Sequence, residues 1–197
     1  MEHKTTRSLF RGIYQYKIVL TCANSHLFRS RDMPAAIATL KKVEFTKNKD
    51  DTGYGIKLAT ELMHESAIDV RVESPWISIY TNNQSLIKKL VKINPDHVKY
   101  VCEPETGANL QEGTIIMPKM DYDYRVTLGK TVQEHSAFIA WADTNKKCKL
   151  TKSCIRELQR PRSWGGTHFY ITGDNNLLLA KMHLGGSISK VERIVKK

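Results

Sequence analysis

Apolar or aromatic residues fall at 14, 16, 18 and 20, at 68, 70 and 72, and at 77 and 79. A period of two predicts strands over 14–20, 68–72 and 76–81. Between them the period widens. Asp32, before Met33 and Pro34, caps a helix that continues over 35–42. Leu58, Leu62, His64 and Glu65 mark a second helix. Asn82 and Asn83 open a third over 85–93, Asn94 and Pro95 end it, and a strand over 98–102 follows. The rest reads likewise: a strand over 122–128, a helix over 131–143 with Phe138, Ile139 and Trp141, and a helix over 150–159 with Leu150, Cys154 and Leu158 on one face. A strand over 168–172 leads to a helix over 176–184, capped by Asp174 and stopped by Gly185 and Gly186, and a last strand over 189–195.

The two halves resemble each other. Residues 14–20 (YQYKIVL) match 122–128 (YDYRVTL) at a spacing of 108. Residues 79–90 match 171–182 at 92, which also sets Lys57 and Leu58 on Lys149 and Leu150; 98–101 match 191–194 at 93. The drop in spacing implies a surplus in the first half, placed in the polar stretch 46–55 (TKNKDDTGYG). At 92, strand 68–72 falls on 160–164 (RPRSW), which lacks strand character. The expectation is an α+β chain of two tandem modules, 1–105 and 114–197, joined by a linker over 106–113 (TGANLQEG). The element order β-α-β-β-α-β in each is that of a ferredoxin-like split βαβ unit.

With 41% hydrophobic residues the chain can bury a core, and no run of 18 apolar residues offers a membrane span. No secretory leader is read at the start, so four cysteines without a CxxC pair imply reduced thiols and a cytoplasmic setting. The net charge of +11 is segregated: +7 over 1–49, −5 over 50–144 and +9 over 145–197. Such segregation builds a local positive field that attracts polyanions, of which nucleic acid is the commonest.

Alternation points Ile77, Ile79, Phe169 and Ile171 toward the helices. It leaves Trp76 and Tyr80, and His168 and Tyr170, on the opposite sheet faces, flanked by Lys17 and Arg125. Rings beside cations suit single strands, because every base has a face to stack. The densest cationic run is Lys146, Lys147, Lys149, Lys152, Arg156, Arg160 and Arg162. Lys152, Arg156 and Arg160 recur every four residues on one helix face; Pro161 ends that helix. Trp164 can stack, and Gly165 and Gly166 let the backbone approach a ligand closely. The first module lacks this character, so it is expected to support and the second to bind.

No phosphate loop, dinucleotide fingerprint, HExxH, GxSxG or metal-ligand spacing occurs in the sequence, and no cofactor or metal is expected. The leading expectation is a non-catalytic nucleic-acid-binding protein of RNA or DNA. The alternatives are an assembly protein of a viral (phage) particle or larger complex, self-associating through its sheet faces, and a metal-independent RNA endonuclease using His26 near Arg29 and Arg31, or His168 near Tyr170 and Arg162.

Overall fold

The structure is a computed structural model that describes residues 1–44, 49–105, 108, 110–131 and 133–196. It is α+β, with two five-stranded mixed sheets. The chain divides into two compact units, Met1–Leu110 and Gln111–Lys197. Residues 106, 107 and 109 of the expected linker lie outside the described residues. No helix among the described residues is long and apolar enough to cross a membrane.

The first unit runs β1 (Glu2–Thr6), β2 (Tyr16–Thr21), α1 (Met33–Glu44), α2 (Lys49–Met63), β3 (Ile68–Glu73), β4 (Trp76–Thr81), α3 (Gln84–Ile93) and β5 (Val98–Pro104). The second runs β6 (Thr114–Ile116), β7 (Tyr124–Leu128), α4 (Ser136–Thr144), β8 (Cys148–Leu150), α5 (Lys152–Leu158), β9 (His168–Ile171), α6 (Asp174–Leu184) and β10 (Ile188–Val195). The sheet orders are β1-β5-β2-β4-β3 and β6-β10-β7-β9-β8. In each, four strands pair antiparallel, and the first strand of the unit adds parallel to the last.

One face of each sheet carries the core. Ile18, Leu20, Ile77, Ile79 and Val101 meet Leu58, Leu62, Leu86 and Leu90 of the helices. Val126, Leu128, Phe169 and Ile171 meet Phe138, Cys154, Leu158 and Ala180. Asp32 accepts a hydrogen bond from the Ala35 amide (2.9 Å) and Asn83 one from the Leu86 amide (3.2 Å), so both side chains cap as their positions imply. Gly55 sits where α1 crosses α2: a Cβ there would come within 3.2 Å of the Leu40 side chain. That glycine serves helix packing, and its stretch is helical from Lys49 rather than a polar loop; 46–48 lie outside the described residues.

The ladders correct the repeat alignment. Lys17 pairs with Tyr80 and Cys102; Arg125 pairs with Tyr170 and Glu192. The spacing of equivalents is therefore 108 for β2 and β7, but 90 from β4 and β9 to the end, not 92 and 93. Asp69 faces Tyr80 as Lys149 faces Tyr170, so the partner of β3 is β8, at a spacing of 80. The match of Lys57 and Leu58 to Lys149 and Leu150 falls away, since it sets α2 on β8. Residues 160–164 form the loop after α5, a helix inserted inside the hairpin of the second unit.

Candidate nucleic-acid interface

Cross-strand pairing lines up one row of side chains on the helix-free face of each sheet. In the first unit the row is Asp69, Tyr80, Lys17 and Cys102; in the second it is Lys149, Tyr170, Arg125 and Glu192. Both tyrosines point as their alternation implies, yet both are buried. The segment between β1 and β2 folds over Tyr80, bringing Phe10 and Tyr14 to ring-centroid distances of 5.9 and 6.4 Å. The Arg11 guanidinium lies 4.8 Å from the same ring and is tied, with Arg31, to the carboxylate of Asp69. The Lys17 ammonium sits 5.4 Å from both Tyr80 and Tyr100.

Tyr170 is covered in the same way by Tyr122 at 5.9 Å and by a cluster with Ile115, Ile194, Met117 and Met120. The open faces expected for base stacking or self-association are therefore closed over these tyrosines by each unit's own chain. A sequence strip outside the strands, with Phe10, Tyr14, Met117 and Tyr122, buries surface that alternation alone leaves bare. Trp76 is half-buried under the Lys99 ammonium, 3.8 Å from its ring.

Arg125 is not an unpaired cation. Its guanidinium donates to Glu192 at 2.9 and 2.6 Å, and Lys190 reaches the other carboxylate oxygen at 2.8 Å. Burial alone raises the Glu192 pKa, but Lys190 and Arg125 outweigh it and hold the carboxyl below its ordinary value. His168 packs edge-on against Tyr170, and burial, then Arg125, lower its pKa. A lowered pKa keeps this ring neutral, and Arg162 has no described contact with it. Of the other nuclease candidates, His26 and Arg29 are exposed, while Arg31 is engaged by Asp69. Among the described residues no group of three His, Cys, Asp or Glu is placed to hold a metal ion.

His135, at the start of α4, is buried with its Nε2 3.0 Å from Ser187 Oγ, and burial lowers its pKa against a smaller opposing effect of the His183 backbone. The unfolded chain then binds the proton more readily than the folded one. Stability from this group is full above the ordinary histidine range and lost as pH falls through the depressed value. The expected outcome is a thermal midpoint that drops as pH falls below about 6.5, with the drop reduced in His135→Gln. An equal drop in both chains in calorimetry contradicts it.

The basic segment is built differently from its sequence pattern. Leu150 belongs to β8, and α5 spans only Lys152–Leu158, capped by Thr151 Oγ1 on the Cys154 amide at 3.1 Å. Cys154 and Leu158 bury its inner face, and Lys152 and Arg156 stand exposed one turn apart. Arg160 lies past the helix end and pairs with Glu157 at 2.8 Å, so it leaves the expected row of three cations.

The loop that follows is clamped to β7. Thr131 and Ser163 exchange backbone hydrogen bonds at 3.0 Å, the Gly166 amide donates to the Leu128 carbonyl at 2.8 Å, and Ser163 Oγ donates to Glu157. Gly165 has φ +77°, and a Cβ on it would lie 2.4 Å from the Gly129 carbonyl carbon and oxygen. This glycine serves a close approach to the chain's own backbone, not to a ligand. The clamp presents Trp164, 84% exposed, with the Lys130 ammonium 4.8 Å from its ring. Lys130 also borders a groove of about 390 Å³ lined by Gln133, Met182, His183 and the 185–187 turn. Sequence spacing gave no signal for Lys130, which is 34 residues from Trp164 and reaches it only through the Thr131–Ser163 bridge. Arg162 and Lys149 are exposed.

No protein-family model, no curated protein and no solved structure matches this chain.

Proposed function

We propose that the chain binds single-stranded nucleic acid, without catalysis, through the unit Gln111–Lys197. One observation carries this reading: a nearly fully exposed indole on a glycine-clamped loop, with Lys130 beside it. A ligand that covers this ring gains the free energy of removing its apolar surface from water. A ring next to an ammonium meets the two surfaces of a nucleotide, a flat base and an anionic phosphate. Duplex bases are stacked on each other, so an exposed indole favours single strands. Lys152, Arg156 and Arg162, exposed on α5 and the loop, supply further phosphate contacts in the segment of densest positive charge.

We further read each unit as a ferredoxin-like split βαβ unit with one edge strand added, on the strand orders β5-β2-β4-β3 and β10-β7-β9-β8. Four buried cysteines, none of them in a disulfide, fit a reducing cytoplasm.

The test is fluorescence anisotropy with labelled single-stranded RNA, single-stranded DNA and duplex DNA at several salt concentrations. Trp164→Ala is expected to weaken single-strand binding by about 1–3 kcal/mol, or roughly 5–150-fold. Trp76→Ala is expected to change it little. Arg156→Ala with Arg162→Ala lowers the log–log salt slope by about 0.7 per lost phosphate contact. No binding at low salt, or equal loss with both tryptophan variants, overturns the assignment.

A further inference from the structure

The corrected repeat makes each unit a control for the other. At a spacing of 90, the buried Ile87 and Leu90 of α3 correspond to Leu177 and Ala180 of α6, both buried. The outward positions do not correspond in chemistry. Lys88, Lys89 and Lys92 of α3 are replaced by Leu178, Leu179 and Met182, which are 59, 41 and 73% exposed. The same helix on the same sheet is fully compatible with lysines there, so the fold of the unit does not ask for the apolar stripe. Something outside the unit does.

We propose that this stripe is a homodimerisation face, on which α6 of a second copy lies antiparallel. The placement of charge selects that occupant. Leu178, Leu179 and Met182 lie at i, i+1 and i+4 on one face of the helix, and Lys181 shares one edge of it with Asp174, whose Oδ1 accepts from the Tyr124 hydroxyl and whose Oδ2 is left for a second donor. In an antiparallel pair related by a twofold axis near residues 177–179, that edge meets the same edge of the partner helix. Asp174 of each copy then faces Lys181 of the other, giving two opposite-charge pairs around an apolar centre. Antiparallel macrodipoles favour the same arrangement. A parallel pair would not join Asp174 to Lys181. Three apolar side chains per copy are fewer than fill an interface of about 800 Å² per partner, so the dimer is reversible and depends on concentration. The assignment is independent of nucleic acid and is tested without it.

Sedimentation velocity of the full chain over a wide concentration range is expected to show a monomer–dimer equilibrium. L178K, L179K and M182K together copy the α3 surface and are expected to abolish it, with an unchanged circular dichroism spectrum. K181E, a single exposed change, sets two acids against each other in each of the two pairs and is expected to weaken dimerisation about fivefold or more. A wild-type chain that stays monomeric overturns the pairing and leaves the stripe to a different protein. A dimer that survives the triple variant, or an open-ended assembly, overturns it too. A dimer unaffected by K181E overturns the antiparallel geometry.

Discussion

Glu192→Ala is expected to destabilise the second unit by about 3 kcal/mol, which lowers its thermal midpoint by roughly 12–24 °C for a unit of this size. Glu192 is 1% exposed, and removing it strands the Arg125 guanidinium in the middle of the sheet face without its acceptor. The cost sits at the low end of the range for a broken buried pair because Arg125 is 25% exposed and can turn toward water. Lys190→Ala, on the more exposed partner, is expected to cost under about 1 kcal/mol. The acid limb adds a second signature. Glu192 has its pKa depressed in the folded unit, so its contribution is present above the ordinary glutamate value and fades as pH falls through the depressed one. The difference between wild type and Glu192→Gln should therefore begin to shrink as pH falls below about 4.3. Trp141 and Trp164, both in this unit, report the transition by fluorescence. A midpoint for the alanine variant within about 2 °C of wild type shows that the pair does not hold the sheet.

Gly165→Ala is expected to cost about 3 kcal/mol or more, with Gly166→Ala as its matched control at about 1 kcal/mol. Both glycines have positive φ, +77° and +86°, so both substitutions bear the left-handed penalty. They differ in space. At Gly166 nothing lies within 4 Å of an added Cβ, whereas at Gly165 it meets the backbone of Gly129 and Leu128 at 2.4–2.7 Å. Backbone in a paired strand end cannot yield as a side chain tip can, so the loop must lift. Lifting breaks the Thr131–Ser163 bridge and separates Trp164 from Lys130. Gly165→Ala is thus expected to weaken single-strand binding although Trp164 is still present. Equal stability and equal affinity for the two alanine variants would show that the clamp does not position the indole.

Strong alternation and helix spacing made most core elements legible: β4 and β9 stand where the period of two places them, β2 and β7 start two residues later because Tyr14 and Tyr122 belong to the covering segments, and α3 stands where its cap does. Asp174 does not cap α6: the helix begins at Asp174 itself, after Gly173, with no side-chain cap. The elements that escaped each lack a local signal. β1 reads EHKTT, with no apolar alternation, because it is an edge strand with mostly exposed side chains. β8 has three residues, too few to show a period, and its Leu150 continues an apolar spacing that belongs to α5. The site was half legible. Trp164 and the cations of α5 were visible as types in a row. That Glu157 takes Arg160 is a local contact three residues apart, hidden because the spacing of the cations assumed a longer helix; that residues far along the chain bury Tyr80 and Tyr170 depends on tertiary contact alone.

The parallel pairing of β1 with β5 sets a clock on synthesis. Glu2 finds its partner Tyr100 only 98 residues later. At about 5–20 residues per second, that edge waits roughly 5–20 s for the strand it joins. An apolar segment left that long in water would seek another chain. The polar make-up of Glu2–Thr6 lets it wait as dissolved peptide until Val98–Pro104 is made.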